Sequence, residues 1–311
     1  MKLNSKIFIA GHKGMVGSAI HRLLQKNQYS NIITKNRQQL DLKVQAEVNY
    51  FFSSNKPEYV FLCAARVGGI QANIKYPGTF LIENLQIQNN VIESSYKNGV
   101  NKLLFFGSSC IYPKECPQPM KEEYLLTGKL EPTNEGYAIA KIAGLKLLEG
   151  YQKEFAFNGI SLMPCNLYGP NDSFDLAHSH VLSALVKKFI DAVDNNLEEI
   201  KLWGTGNARR EFMHVDDLAM ASLFMMNNFD ENEFINIGWG IDLSIKDLAL
   251  LIAKLTNYKG SVVWDISKPD GMMKKCMDVS KMKRNGFKPT IDLERGIEEM
   301  ITIYNNIKSN K

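Results

Sequence analysis

Ile7-Phe8-Ile9-Ala10-Gly11-His12-Lys13-Gly14-Met15-Val16-Gly17 decides how this chain reads. Ile7 to Ala10 is an apolar run that predicts a buried strand, and glycines follow at once. Met15 to Leu24 then places Met15, Val16, Ala19, Ile20, Leu23 and Leu24 on one helical face. Gly11, Gly14 and Gly17 therefore occupy a strand–turn–helix junction. Glycine permits a tight turn and lets the backbone approach a pyrophosphate, while the helix start offers unpaired N–H groups and a positive dipole end. The competing reading is a turn with no ligand.

Working outward, Ile32 and Ile33 mark a second strand, Tyr59 to Ala65 a third, Leu103 to Phe106 a fourth and Ile160 to Met163 another. Helical patterns lie between them at Leu81 to Tyr96, stopped by Gly99, and at Tyr137 to Phe155. Continuously apolar strands alternating with helices predict an α/β chain of Rossmann type, a doubly wound parallel sheet covered on both faces. The second half is less regular. Leu182 to Val193 predicts a helix, Glu211 to Asn228 contains another, and Phe234 to Ile237 reads as a strand. The expected organisation is a dinucleotide-binding domain over residues 1–165, with segments around 211–245 returning to it, and a smaller, mainly substrate-binding domain over 166–311.

Composition narrows the class. With 311 residues, 45% hydrophobic and 23% charged, the chain has ample core material and is not a disordered segment. The net charge of +4 is small and scattered, which suits a local pocket for a phosphorylated ligand better than a nucleic-acid face. Cys63, Cys110, Cys116, Cys165 and Cys276 are odd in number and contain no CxxC pair, so neither a disulfide framework nor a metal site is expected. The longest apolar stretch, Leu218 to Met226, is far short of a membrane span, and the N-terminus lacks a signal-peptide core. A cytoplasmic protein with no membrane or nucleic-acid partner is expected.

The end of the second strand bears on the cofactor. Thr34 leads into Lys35, Asn36 and Arg37, with no acid before Asp41, where an NAD site usually carries one. Lys13 adds a cation in the glycine loop. This predicts NADP(H), with Arg37 gripping the 2′-phosphate, against a reading of Lys35 and Arg37 as solvated charges. Downstream, Ser108 follows the fourth strand, and Tyr137 and Lys141 stand four apart on one helix face. A nearby ammonium is expected to lower the Tyr137 pKa, so that the phenol protonates a carbonyl oxygen as hydride arrives, while Ser108 bonds the same oxygen.

At this point the chain resembles a known family. FIAGHKGMVGSAI (8–20), GSSCIYPK (107–114), EPTNE (131–135), YAIAKIAG (137–144), NLYGP (166–170), REFMHVDD (210–217) and SKPDG (267–271) are similar to segments of the extended short-chain dehydrogenase/reductases. The similarity is closest to the GDP-L-fucose synthase family. That resemblance implies an NADPH-dependent enzyme acting on GDP-4-keto-6-deoxy-D-mannose, which epimerises C3 and C5 and then reduces C4. It implies Cys110 as base and His180 as acid beside Ser108, Tyr137 and Lys141. For the cofactor it implies contacts from Gly11, His12, Lys13, Gly14, Met15, Val16 and Gly17 in the loop, from Arg37, Asp41, Leu42, Ala64 and Ala65 on the adenosine side, and from Lys141, Pro164, Asn166, Leu167 and His180 near the nicotinamide. For the sugar nucleotide it implies Ser108, Lys188, Trp203, Arg210 and Asp270; the competing readings are a buried small hydrophobe for Cys110, the usual fate of a free cysteine, and core packing for Trp203. A homodimer through Leu81–Tyr96 and Tyr137–Phe155 is also implied.

Gly136, Cys165, Arg66, Met272 and Met273 depart from the family pattern. Arg66 and the methionines leave room for a related GDP-4-keto heptose or dideoxy sugar, or for reduction alone. The alternative of another class is a catalytically silent NADP sensor.

Overall fold

The computed structural model of the chain describes residues 1–175, 179–231, 233–268 and 270–309. The first half runs β1 (Ile7–Ala10), α1 (Met15–Lys26), β2 (Ile32–Lys35), α2 (Gln45–Asn55), β3 (Tyr59–Leu62), α3 (Ile70–Lys75), α4 (Pro77–Lys97), β4 (Lys102–Phe106), α5 (Glu135–Phe155) and β5 (Gly159–Pro164). It continues through β6 (Asn166–Tyr168), α6 (Val181–Asp194), β7 (Glu199–Trp203), β8 (Arg209–His214), α7 (Val215–Asn228), β9 (Ile235–Ile237) and β10 (Asp242–Ser244). The chain ends with α8 (Ile245–Leu255), β11 (Ser261–Asp265), β12 (Lys274–Lys275), α9 (Ser280–Arg284) and α10 (Leu293–Ser309).

Six parallel strands form the main sheet in the order β2-β1-β3-β4-β5-β9. Alternation along each strand feeds two cores. Phe8, Val60, Leu62, Leu103 and Phe105 pack on one face with Val48, Phe52, Val91 and Leu148 from α2, α4 and α5. Ile7, Ile9, Phe61, Leu104 and Leu162 pack on the other with Ala19, Ile20, Leu218 and Met225 from α1 and α7. This is the doubly wound arrangement expected from the sequence. The strand order reverses between β1 and β3, and such switch points open a crevice beyond the strand ends.

A second sheet has the order β10-β8-β12, with β6 also paired to β8, and β11 pairs with β7. Leu185 and Phe189 of α6, Leu248 and Ile252 of α8, and Ile297 and Met300 of α10 build a third core beside it.

Several expectations need adjustment. The third strand ends at Leu62 rather than Ala65, because Ala64 leaves the sheet to lie against Gly11. Of the 211–245 stretch, α7 and β9 join the main sheet and its core, whereas β10 and most of β8 belong to the second sheet. Met277, Val279, Met282 and Phe287 also pack into the first core. Helices α2, α3, α8, α9 and α10 go unanticipated in the sequence; α2 carries its aromatics, Tyr50, Phe51 and Phe52, in one run and shows no clean helical stripe.

Candidate active site

The glycine loop sits at the switch point. Gly11 has φ +87, and a Cβ there would lie 2.7 Å from the Ala64 amide nitrogen. A Cβ on Gly17 would collide with the Gly11 carbonyl, so only glycine lets the helix start close over the loop. Gly14 is the N-cap of α1; no side chain caps that end and no acid occupies its first turn. Its exposed side is open, since a Cβ on Gly14 would meet only the Gly11 carbonyl oxygen, at 3.5 Å. Bare amides and a positive helix end fit a dinucleotide pyrophosphate. Met15 and Val16 flank the loop half-buried, while Lys13 is exposed. Burial, more than the neighbouring cations His21 and Lys13, holds the His12 imidazole below its ordinary pKa.

Beyond β2, Arg37 is exposed, with Nε 3.7 Å from the Asp41 carboxylate. Asp41 also accepts from the Lys43 amide at 3.1 Å, and the Leu42 carbonyl accepts from Asn90 at 2.9 Å. The Arg37 fork is thus tethered at its base and free at its head. Ala64 and Ala65 follow β3 half-buried; Pro164 ends β5, and Asn166 and Leu167 begin β6, where Asn166 Nδ2 donates to the Glu211 carbonyl at 2.9 Å.

Ser108, Cys110, Tyr137 and Lys141 converge at the ends of β4 and α5. Lys141, 3% exposed, donates from Nζ to the Phe106 carbonyl oxygen at 2.8 Å and lies 5.9 Å from the Tyr137 ring centre. Burial pulls its pKa down to about 8, against a smaller upward pull from Cys63 at the end of β3. Tyr137 is pushed above its ordinary pKa by burial and by Cys110, while a hydrogen bond from Ser108 pulls it down. This corrects the expectation of a lowered phenol: with the ammonium turned to a main-chain carbonyl, burial outweighs it. Phe80 meets the Tyr137 ring edge-on at 6.5 Å, and Arg66, paired with Glu83 at 3.1 Å, lies over Phe80.

Cys110 is half-buried. Its Sγ accepts from Asn134 Nδ2 at 3.2 Å and from Lys275 Nζ at 3.5 Å. Neither partner was anticipated: Lys275 lies 165 residues away in the chain, and its neighbour Lys274 is an equally plain surface lysine. Asn134 stands at the N-cap position of α5, but its side chain goes to the thiol and does not cap the helix.

His180 is not in hydrogen-bond contact with Cys110, Ser108 or Tyr137 among the described residues. It stands exposed at the N-cap of α6, with Nδ1 3.1 Å from Asp172, and that bond raises its pKa. Ser183 also bonds Asp172, which fixes the carboxylate. His178, the weaker histidine candidate, lies outside the described residues. His214 is fully buried and caps α7, accepting from the Asp216 amide at 3.2 Å.

The expected sugar-nucleotide contacts come from separate elements: Ser108 follows β4, Lys188 lies on α6, Trp203 ends β7, Arg210 lies on β8 and Asp270 follows β11. Burial lowers the Lys188 pKa, and no acid pairs with it among the described residues. Arg210 on β8 donates to the Arg209 and Asp270 carbonyls at 2.8 and 3.4 Å. Trp203 is 58% exposed, with Lys268 over its ring at 5.7 Å. Asp270 accepts from Thr205 on both carboxylate oxygens, through N and Oγ1, each at 2.8 Å. It holds the turn after Trp203.

Comparison with known proteins gives the family. The NAD dependent epimerase/dehydratase family model matches residues 7–238. GDP-L-fucose synthase 1 from Arabidopsis thaliana is 51% identical, covering 97% of this chain and 93% of its own length. GDP-L-fucose synthase from Escherichia coli (strain K12) is 47% identical over 94% of each. Among solved structures, a GDP-mannoheptose C4 reductase from Campylobacter jejuni with NADP bound is 42% identical, with a TM-score of 0.91 over 98% of this chain and 99% of that one. The chain belongs to the NAD dependent epimerase/dehydratase family and, within it, to the GDP-L-fucose synthase family.

Proposed function

We propose that this protein is an NADPH-dependent epimerase/reductase that converts GDP-4-keto-6-deoxy-D-mannose to GDP-L-fucose. The observation that carries the reading is the Cys110 thiol beside the Ser108–Tyr137 pair, with two donors on its sulfur. A simple ketone reductase needs no second proton-transfer group. A C4 ketone acidifies the hydrogens on C3 and C5, and a half-buried thiolate is a competent base for them.

Ser108 and Tyr137 hold the C4 oxygen and stabilise the enolate that forms when Cys110 takes an α proton. His180, kept more basic by Asp172, returns a proton to the opposite face. Tyr137 then protonates the C4 oxygen, and Lys141 orders the end of β4 through the Phe106 carbonyl. NADPH, when bound, supplies the hydride for that reduction. Gly11 to Gly17 would hold its pyrophosphate and Arg37 its 2′-phosphate. Lys188 and Arg210 suit the substrate phosphates, and the exposed Trp203 face suits the base.

Turnover in D2O with NADPH, followed by product NMR, tests this reading: deuterium at C3 and C5 together with a C4 alcohol is expected. A reduced product without deuterium would leave only a reductase. That second reading, C4 reduction of a GDP-heptose, draws support from the reductase relative at 42% identity and from Arg66 close to the site. The substrate panel should therefore include a GDP-4-keto heptose.

A homodimer goes with this proposal. Helices α4 and α5 pack together and leave Ile82, Ile139 and Phe155 exposed. Light scattering giving a monomer at micromolar concentration would exclude it. No described helix is long and apolar enough to cross a membrane, and a cytoplasmic location is proposed.

A further inference from the structure

We infer that Lys275 is a positioning residue for epimerisation, the cation that holds Cys110 as a thiolate. This rests on the proposed role of Cys110 as base.

Lys275 is delivered to the thiol by two sets of bonds. Strand β12 pairs with β8 in the register Lys274↔Arg209 and Lys275↔Arg210. Successive strand residues point to opposite faces. Lys274 accordingly turns to Asp242, with Nζ at 3.3 Å, and Lys275 turns to Cys110, with Nζ 3.5 Å from Sγ. The next residues are sewn to the loop that follows Cys110. The Cys276 amide donates to Gln118 Oε1 at 3.0 Å, and the Met120 amide donates to the Cys276 carbonyl at 2.8 Å. The Asp278 amide returns a bond to the Met120 carbonyl, and the Met277 amide donates to the buried Glu211 carboxylate, both at 2.8 Å. The backbone on each side of Lys275 is thereby fixed.

Among the described residues no carboxylate pairs with Lys275, and its polar partner is the sulfur. Among the described residues, the titratable groups facing that sulfur are Lys275 from β12 and Tyr137 from α5; Asn134 adds a neutral donor, and the Cys110 amide donates to Ser108 Oγ at 3.3 Å. An ammonium favours the charged form of a neighbouring acid, and a second donor from Asn134 does the same. The register also links two clusters: Lys275 sits opposite Arg210, so a ligand phosphate held by Arg210 would bear on the strand that carries the thiol's cation.

The test is alkylation of Cys110 by iodoacetamide, located by mass spectrometry on the full-length protein and followed from pH 6 to 10. Lys275→Met and Lys275→Gln should alkylate about tenfold more slowly than wild type at pH 7, converge with it at high pH, and lose C3/C5 exchange in parallel. Lys275→Arg should stay within about threefold of wild type, and all variants should bind NADPH as wild type does. Superimposable alkylation profiles in wild type and both neutral variants, with NADPH binding intact, would overturn the pairing. A shifted profile alongside C3/C5 exchange that survives Cys110→Ser would support the pairing and overturn the epimerase reading instead.

Discussion

Lys141 donates to the Phe106 carbonyl at 2.8 Å, at the last residue of β4, and so ties α5 to the strand that leads into Ser108. A buried ammonium needs an acceptor, and this one lies two residues before the serine. The lysine's first contribution is therefore geometric. Tyr137 remains protonated, as a proton donor to a carbonyl must be, because burial holds it above its ordinary pKa.

Tyr137→Phe should lower reduction by about 10²–10⁴-fold with NADPH affinity unchanged, since it removes one positioned proton donor. Stopped-flow NADPH oxidation and a separate binding titration read the two quantities. Unchanged oxidation would remove Tyr137 from the reduction step.

Gly11→Ala should abolish measurable NADPH binding and cost about 1–3 kcal/mol of stability, through its positive φ and the close Ala64 amide. Gly99 also has positive φ but nothing within 4 Å, so Gly99→Ala should cost about 1 kcal/mol and leave binding intact. Denaturant midpoints and fluorescence titration compare the pair.

Arg37→Ala should weaken NADPH by about tenfold and NADH little, because only NADPH carries the 2′-phosphate. Equal losses for both would remove the phosphate contact.

Glu211 is 1% exposed, and burial raises its pKa from 4.5 to about 7, partly offset by amides from Gly240, Met277 and Trp239. A raised carboxyl binds its proton more tightly when folded. Its contribution to stability is full below pH 4.5 and is lost as pH rises through about 7. Relative to Glu211→Gln, wild type should therefore lose about 3 kcal/mol between those limits. Urea midpoints at pH 5 and pH 8 would show it; a flat difference would refute it.

Asp172→Asn should move the alkaline limb of the C3/C5 exchange profile to lower pH, because the Asp172 bond is the main cause of the raised His180 pKa. His180→Asn should remove that limb. An unchanged limb in both variants would strip His180 of its proton-transfer role.

By itself the sequence determined the parallel sheet, the glycine loop and the Ser108–Tyr137–Lys141 set. Each is local: an apolar run beside a turn, or two residues on one helix face, is legible without knowing what the chain meets next. Even the cofactor preference could be read from the few residues after β2. Tertiary structure alone decided what those groups touch. Tyr137 is raised rather than lowered because its surroundings are buried. Asp270 serves Thr205, and Asn134 and Lys275 become the partners of Cys110. Register between β8 and β12 sets which of two adjacent lysines faces the thiol, and a strand of two residues carries no pattern from which that could be read. Contacts of this kind follow from which surfaces pack together across distant parts of the chain, and nothing in local spacing encodes them.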